Sequence, residues 1–203
     1  MKNHFGYYGA MLALSLACFS CNNGSQEDSA KDAKDTNAVK MDSSASSNQP
    51  VATVPVSVTK DDATFAVNAA SGGMMEVQFG QVAQQKGMGQ DVKDLGAMME
   101  KDHTALGKRL KAIAAGKNLT LPDALSPDQQ KMMDDLQKKT GKDFDKAYIN
   151  MMVDDHKTDI KDFEKEAKNG SDADIRAFAD SSLHTLKMHL SAAEKCKDMS
   201  KKM

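Results

Sequence analysis

Residues 92–110 read VKDLGAMMEKDHTALGKRL, and their apolar positions decide the fold. Val92, Leu95, Met99, Leu106 and Leu110 recur at steps of three and four, with His103 filling the step between Met99 and Leu106. That is one face of an α-helix, because a strand would alternate at every second residue. The pattern extends over residues 90–115, adds Ile113 to the stripe, and stops at Gly116.

Upstream, residues 62–86 carry Phe65, Ala69, Phe79 and Ala83 on one side. The break Gly87-Met88-Gly89 is short enough to make the two helices antiparallel neighbours. Downstream, residues 119–125 form a crossover containing Pro122. Ser126-Pro127-Asp128-Gln129 then reads as a capping box with proline at the first helical position, opening a short helix that ends by Gly141. A third long helix is predicted over 143–168, with Phe144, Ile149, Val153, Ile160, Phe163 and Ala167 inward and Asn169-Gly170 as its end. Ser171, three residues before Asp174, opens a fourth that continues to about residue 199 with Ile175, Ala179, Leu186 and Ala193 inward. No segment alternates at two, so the expectation is all-α. Two helical hairpins joined by a long crossover, which carries a short helix between helices two and three, is the connectivity of a ferritin-like four-helix bundle. Helices of this length, roughly 38 Å, suit it.

The chain divides into three parts. In residues 1–21, Lys2 and His4 precede the apolar run GAMLALSLA at 9–17, too brief to span a bilayer but suited to a signal-peptide core. Cys18-Phe19-Ser20-Cys21, followed by Asn22-Asn23-Gly24-Ser25, resembles the lipobox of bacterial lipoproteins. The resemblance implies lipidation at Cys21. Cleavage before Cys18 is the alternative, because Cys18 stands where the pattern has Leu. Either choice anchors the chain to a membrane by lipid, in the outer membrane or facing the periplasm. Residues 22–60 are rich in Ser, Asp, Ala, Asn and Lys, lack aromatic residues, and end near Pro50 and Pro55. They are expected to form a disordered tether. Residues 61–200 form the folded domain. Cys196, the last of three cysteines, has no intramolecular partner and lies on an apolar stripe, as a small core residue would. The 27 Lys+Arg against 29 Asp+Glu leave a net charge of −2, which gives no basic footprint for nucleic acid.

Four polar residues interrupt the apolar stripes. The steps Ala69, Gly72, Glu76, Phe79 turn Glu76 inward; Met99, His103, Leu106 and Val153, His156, Ile160 do the same for the two histidines, and Ser182, Leu186, His189, Ala193 for the third. His184 falls on the opposite face and is expected to be exposed. Each inward residue lies near its helix midpoint, so antiparallel packing brings Glu76, His103, His156 and His189 to one level. Buried polar groups need partners. One reading is a single Zn, Cu or Fe ion held by three imidazoles and a carboxylate, with Glu100, Asp102 and Asp155 as outer acceptors or extra ligands. The other is a hydrogen-bonded polar layer that fixes helix register and binds nothing. Glu100 and His103 make the one Glu-x-x-His pair, so a full di-iron set is short of carboxylates. The 15 methionines, with pairs at 74–75, 98–99, 132–133 and 151–152, invite either soft Cu(I) ligation or irregular core filling. A Gly-rich phosphate loop, a GxSxG elbow and a CxxC pair are all lacking, so the sequence argues against an enzyme of those classes.

Together, Phe65-x3-Ala69, Gly73 with Glu76-Val77-x-Phe79-Gly80, Val92-Lys93-x-Leu95, Met99-x2-Asp102-His103, Gly141-x2-Phe144-Asp145-x2-Tyr148, His156 and Leu186-x2-His189 resemble domain-of-unknown-function family 4142. The resemblance spans about residues 60–195. It implies a ferritin-like helical bundle in an exported bacterial protein, with Glu76, His103, His156 and His189 as its polar core, and it brings no established activity. Where that family has proline after the Leu of its last motif, this chain has His184 after Leu183. The expected function is a cell-envelope lipoprotein of unknown specific activity, with a transition metal in the bundle core, for stress protection or metal handling, as one reading of its polar level. The alternative is a non-catalytic structural or interaction lipoprotein with an envelope protein partner.

Overall fold

Thr59 and Asp62 start the first long helix by capping each other: the Asp62 N–H donates to the Thr59 hydroxyl and the Thr59 N–H donates to the Asp62 carboxylate. The computed structural model describes residues 28–45 and 58–200, which form six helices and no strand: α1 (Ser29–Ala45), α2 (Lys60–Lys86), α3 (Gln90–Gly116), α4 (Pro127–Gln137), α5 (Gly141–Asn169) and α6 (Ala173–Ser200). The all-α expectation holds. Ser126 and Gln129 form the predicted box at the start of α4. The cap of α6 differs from expectation. Asp172, not Ser171, accepts the N–H groups of Asp174 and Ile175, both at 3.0 Å. The Ser171 backbone N–H is taken by Asp62, and Lys117 holds the second Asp172 oxygen at 2.7 Å, so the carboxylate is the better-placed cap.

Helix α2 packs on α3 and α5 on α6, and the two pairs meet through α3–α6 and α2–α5. Neighbours run antiparallel: Gly80 meets Gly96, Asp102 meets His189 while Arg109 meets Ser181, and Glu76 meets His156 while Phe65 meets Phe163. At the α2–α3 crossing, a Cβ on Gly96 would stand 2.6 Å from the Gly80 carbonyl oxygen, so only glycine permits this approach. One apolar cluster gathers Phe79, Leu95, Met99, Phe144, Met152 and Ala193; the other gathers Phe65, Leu110, Phe163, Phe178 and Leu186. On α3, α5 and α6 the inward histidine falls between the residues of one cluster and those of the other. A polar level therefore divides the core. In each methionine pair the second member (Met75, Met99, Met133, Met152) is buried in the first cluster, the position of a gap-filling side chain.

The expected tether over 22–60 is corrected in its described part, where α1 occupies 29–45. Its face is polar, so hydrophobic periodicity gave no signal. Ser29, Ala33, Asn37 and Lys40 lie along one side at helical spacing and dock on the crossover. The Asn37 amide donates to the Thr120 carbonyl at 2.9 Å and accepts the Thr120 N–H at 2.8 Å. Lys40 reaches the Thr120 hydroxyl and the Asn118 carbonyl, and the Ser29 hydroxyl pairs with Asp123. Ala33 and Asn37 are both buried. Asn37→Ala strips both Thr120 groups of their partner. We expect it to cost about 1–2 kcal/mol of docking, read as faster amide exchange in 29–45 and at Thr120 with α3, α5 and α6, which α1 does not pack against, unchanged.

Asp62 also ties α2 to the α5–α6 turn, accepting N–H groups from Ser171 at 2.8 Å and Asp172 at 3.3 Å. Burial pushes its carboxyl up, but the Thr59 and Ser171 donors outweigh that and hold it below the ordinary range. Its neighbour Glu166 is pushed up to about 7, first by burial and then by Asp62. A folded-state value above the unfolded one gives stability that is complete below pH about 4.5 and lost as pH rises toward 7. Glu166→Gln removes that dependence. Relative to the variant, the wild type is expected to lose on the order of 1 kcal/mol between those limits, after screening, measured as Tm against pH.

Candidate metal centre

Four long helices deliver one inward polar residue each to the level between the two apolar clusters: Glu76 from α2, His103 from α3, His156 from α5 and His189 from α6. Glu76, His156 and His189 are fully buried and His103 is 4% exposed, while His184 is exposed as predicted. Three ring nitrogens converge. His189 Nδ1 lies 3.2 Å from His103 Nε2 and 3.2 Å from His156 Nε2. With metal–nitrogen bonds of the usual length, the edge of a tetrahedron is about 3.3 Å.

For His156 and His189 the hydrogen bond on the outer side of the ring assigns where the proton is. His156 Nδ1 lies 3.0 Å from the Met152 carbonyl, which can only accept, so the proton is on Nδ1 and Nε2 carries a lone pair. His189 Nε2 lies 3.1 Å from the Asp102 carboxylate, so Nε2 donates and Nδ1 carries a lone pair. These two lone pairs face each other. At most one proton, on His103 Nε2, is available to three nitrogens. Adding protons is costly: burial holds His103 down at about 4, and burial with the neighbouring rings His103 and His189 holds His156 at about 3. Burial also lowers His189, against the pull of Asp102. A hydrogen-bonded layer needs a donor between each pair of acceptors, and this one is short of donors. A cation bound by the three ring nitrogens would supply what is missing.

The predicted outer residues do not all lie beside the rings. Asp102 orients His189 as expected. Glu100 instead accepts from the Gln81 and Gln84 amides at 2.9 and 2.6 Å, because its position on α3 turns it toward the flank of α2. Glu76 is placed on the far side of two rings, with its oxygens 2.8 Å from His103 Nδ1 and 3.2 Å from His156 Nδ1. Neither contact is aligned as a hydrogen bond, and both oxygens are buried without one. Burial, and secondarily Asp155, drive Glu76 well above the usual carboxylate range. Asp155 is pushed up to about 6 by burial. Its oxygens group with Glu76 and with Asp159, which the sequence reading did not single out. The signal was present: Asp155 and Asp159 are four apart on one helix, a spacing at which like charges repel unless something positive lies near. Cys21, the expected lipidation site, lies outside the described residues.

A cavity of about 550 Å³ opens beside the level, with Gly73, Glu76, His103, Asp159, Leu121 and Phe163 among its walls. Leu121 belongs to the crossover that α1 holds in place. Tyr148 lies deep in the first cluster with its hydroxyl buried and unbonded, and burial pushes that hydroxyl up. Among the described residues no helix is long and apolar enough to cross a membrane.

No curated protein matches the chain. Its fold is similar to the crystal structure of a DUF305 fragment from Deinococcus radiodurans, with a TM-score of 0.61 at 9% identity, covering 72% of this chain and 99% of that one. At that identity the likeness speaks for the fold alone. Residues 45–196, from the last residue of α1 to the cysteine near the end of α6, match the domain of unknown function DUF4142, and the chain belongs to that family.

Proposed function

We propose that this protein binds one transition-metal ion, Zn, Cu or Fe, through His103 Nε2, His156 Nε2 and His189 Nδ1. The observation that carries the reading is the 3.2 Å approach of His156 Nε2 to His189 Nδ1 while the other nitrogen of each ring meets an acceptor, which assigns a lone pair to both facing nitrogens. Three imidazoles suit borderline and nitrogen-preferring metals. A metal held by three protein ligands keeps a coordination position open and supplies Lewis-acid or redox chemistry there. The protein's share is to hold the ring tautomers through Met152 and Asp102 and to keep bulk water from the two apolar ends of the core.

We read the four long helices as a ferritin-like bundle, since the 117–140 crossover carries the chain from the end of α3 to the start of α5 at the opposite end. We also propose that the chain is a lipoprotein of the cell envelope, anchored at Cys21. Support for that address is the apolar run at 9–17 and the Cys18–Cys21 pattern. A protein in that place would handle metal or protect against metal stress. The competing reading, an interaction lipoprotein with an inert polar layer and an envelope partner, requires a satisfied layer.

The test is metal analysis of protein lacking residues 1–21, purified without added metal and then titrated with Zn, Cu(II) and Fe(II). One equivalent is expected to bind, and ligand at a thousand times its Kd would stabilise the fold by about 4 kcal/mol. His103→Ala/His156→Ala should lose the bound metal. A wild type that takes up none of the three, with the variant merely altered in stability, would sink the reading.

A further inference from the structure

We infer that Glu76, Asp155 and Asp159 form a second, oxygen-lined cation site beside the three histidines, suited to a hard divalent cation such as Mn²⁺. This deepens the three-histidine reading, because Glu76 belongs to the new site while touching His103 of the other. One oxygen from each of the three carboxylates lies within 4.8 Å of the others. An acidic cluster on a surface can be left to water, but this one is not on a surface. Glu76 is fully buried, and both its oxygens and Asp155 Oδ2 have no hydrogen bond. No lysine or arginine among the described residues forms an ion pair with any of the three; the charged contacts of Glu76 are His103 and His156. Three carboxyl groups in this setting need protons or a cation between them, and none of the side chains around them supplies a full positive charge.

The oxygen set defines the ligand class. Carboxylates without imidazole or thiolate select Mg²⁺, Ca²⁺ or Mn²⁺ over the soft metals, as the three nitrogens select the opposite group. Access differs too. Asp159 is half-buried and lines the cavity with Glu76, so a hydrated cation reaches this site from the solvent side and can keep waters as its remaining ligands. His103 lies between the sites, with Nε2 toward the histidine cluster and Nδ1 2.8 Å from Glu76 Oε2. A cation on Glu76 and one on His103 are then linked through a single ring.

The experiment loads the protein lacking residues 1–21 with one equivalent of Zn²⁺ and titrates Mn²⁺, following the free six-line Mn²⁺ signal by electron paramagnetic resonance. One further equivalent of Mn²⁺ is expected to disappear from the free signal. Asp159→Asn should still take up Zn²⁺, which certifies its fold, and should bind Mn²⁺ at least tenfold more weakly. Equal Mn²⁺ uptake by the variant, or none by the wild type, overturns the proposal. If Zn²⁺ does not bind at all, the three-histidine reading has failed, and titration of the metal-free pair decides the carboxylate site alone by the same comparison.

Discussion

The structure depends on how the bundle copes with four ionisable groups at the middle of its core. Each taken singly would cost several kcal/mol to bury, and no apolar packing at the two ends offsets a level of unmet charge. The protein meets part of that cost with outward hydrogen bonds: Met152 for His156 and Asp102 for His189. Those bonds have a directional consequence. Every proton sent outward leaves a lone pair pointing inward, so satisfying the rings on one side creates a donor-poor centre on the other. That asymmetry separates a metal centre from a polar layer, in which donors and acceptors would alternate across the level.

Around this level the rest of the fold acts as a frame. The Gly80–Gly96 contact draws α2 and α3 close enough for Glu76 and His103 to meet, and a single methyl at either glycine would push them apart. Capping at Thr59, Asp62 and Asp172 fixes the far end of α2 relative to the α5–α6 turn. The crossover has no helix of its own in residues 117–126 and is held instead by α1, through the two-way bond of Asn37 to Thr120. Since Leu121 and Pro122 wall the cavity, a polar helix outside the core helps set the opening beside the histidines.

Much of this was legible in the sequence, for a physical reason: steps of three and four are a direct imprint of the helix on residue type, and inward polar residues interrupt that imprint visibly. The helices, the α4 cap, the level of Glu76, His103, His156 and His189, and exposed His184 all follow from it. Three features did not. Helix α1 buries Ala33 and Asn37, small or polar side chains that leave no hydrophobic trace. Asp172 caps α6 because Lys117 and Asp62 arrive from other helices, which local sequence does not encode. Glu76 lies behind the rings, not among their inner nitrogens, because helical phase fixes the side on which a residue falls and leaves its rotation against three neighbours open.

Asp155, His156 and Asp159 occupy one turn of α5, and Glu76 faces that turn from α2. An exposed helix would accept two carboxylates four residues apart at a cost of a few tenths of a kcal/mol. Beside a buried third carboxylate the same pair is far more expensive, since the low local dielectric that strengthens any favourable contact strengthens repulsion equally. A helix that keeps both aspartates pointing at Glu76 is therefore stable only with protons or a cation among them. The imidazoles a few ångströms away leave their lone pairs under the same demand, so the two proposed sites, one lined by nitrogen and one by oxygen, would suit cations of different hardness.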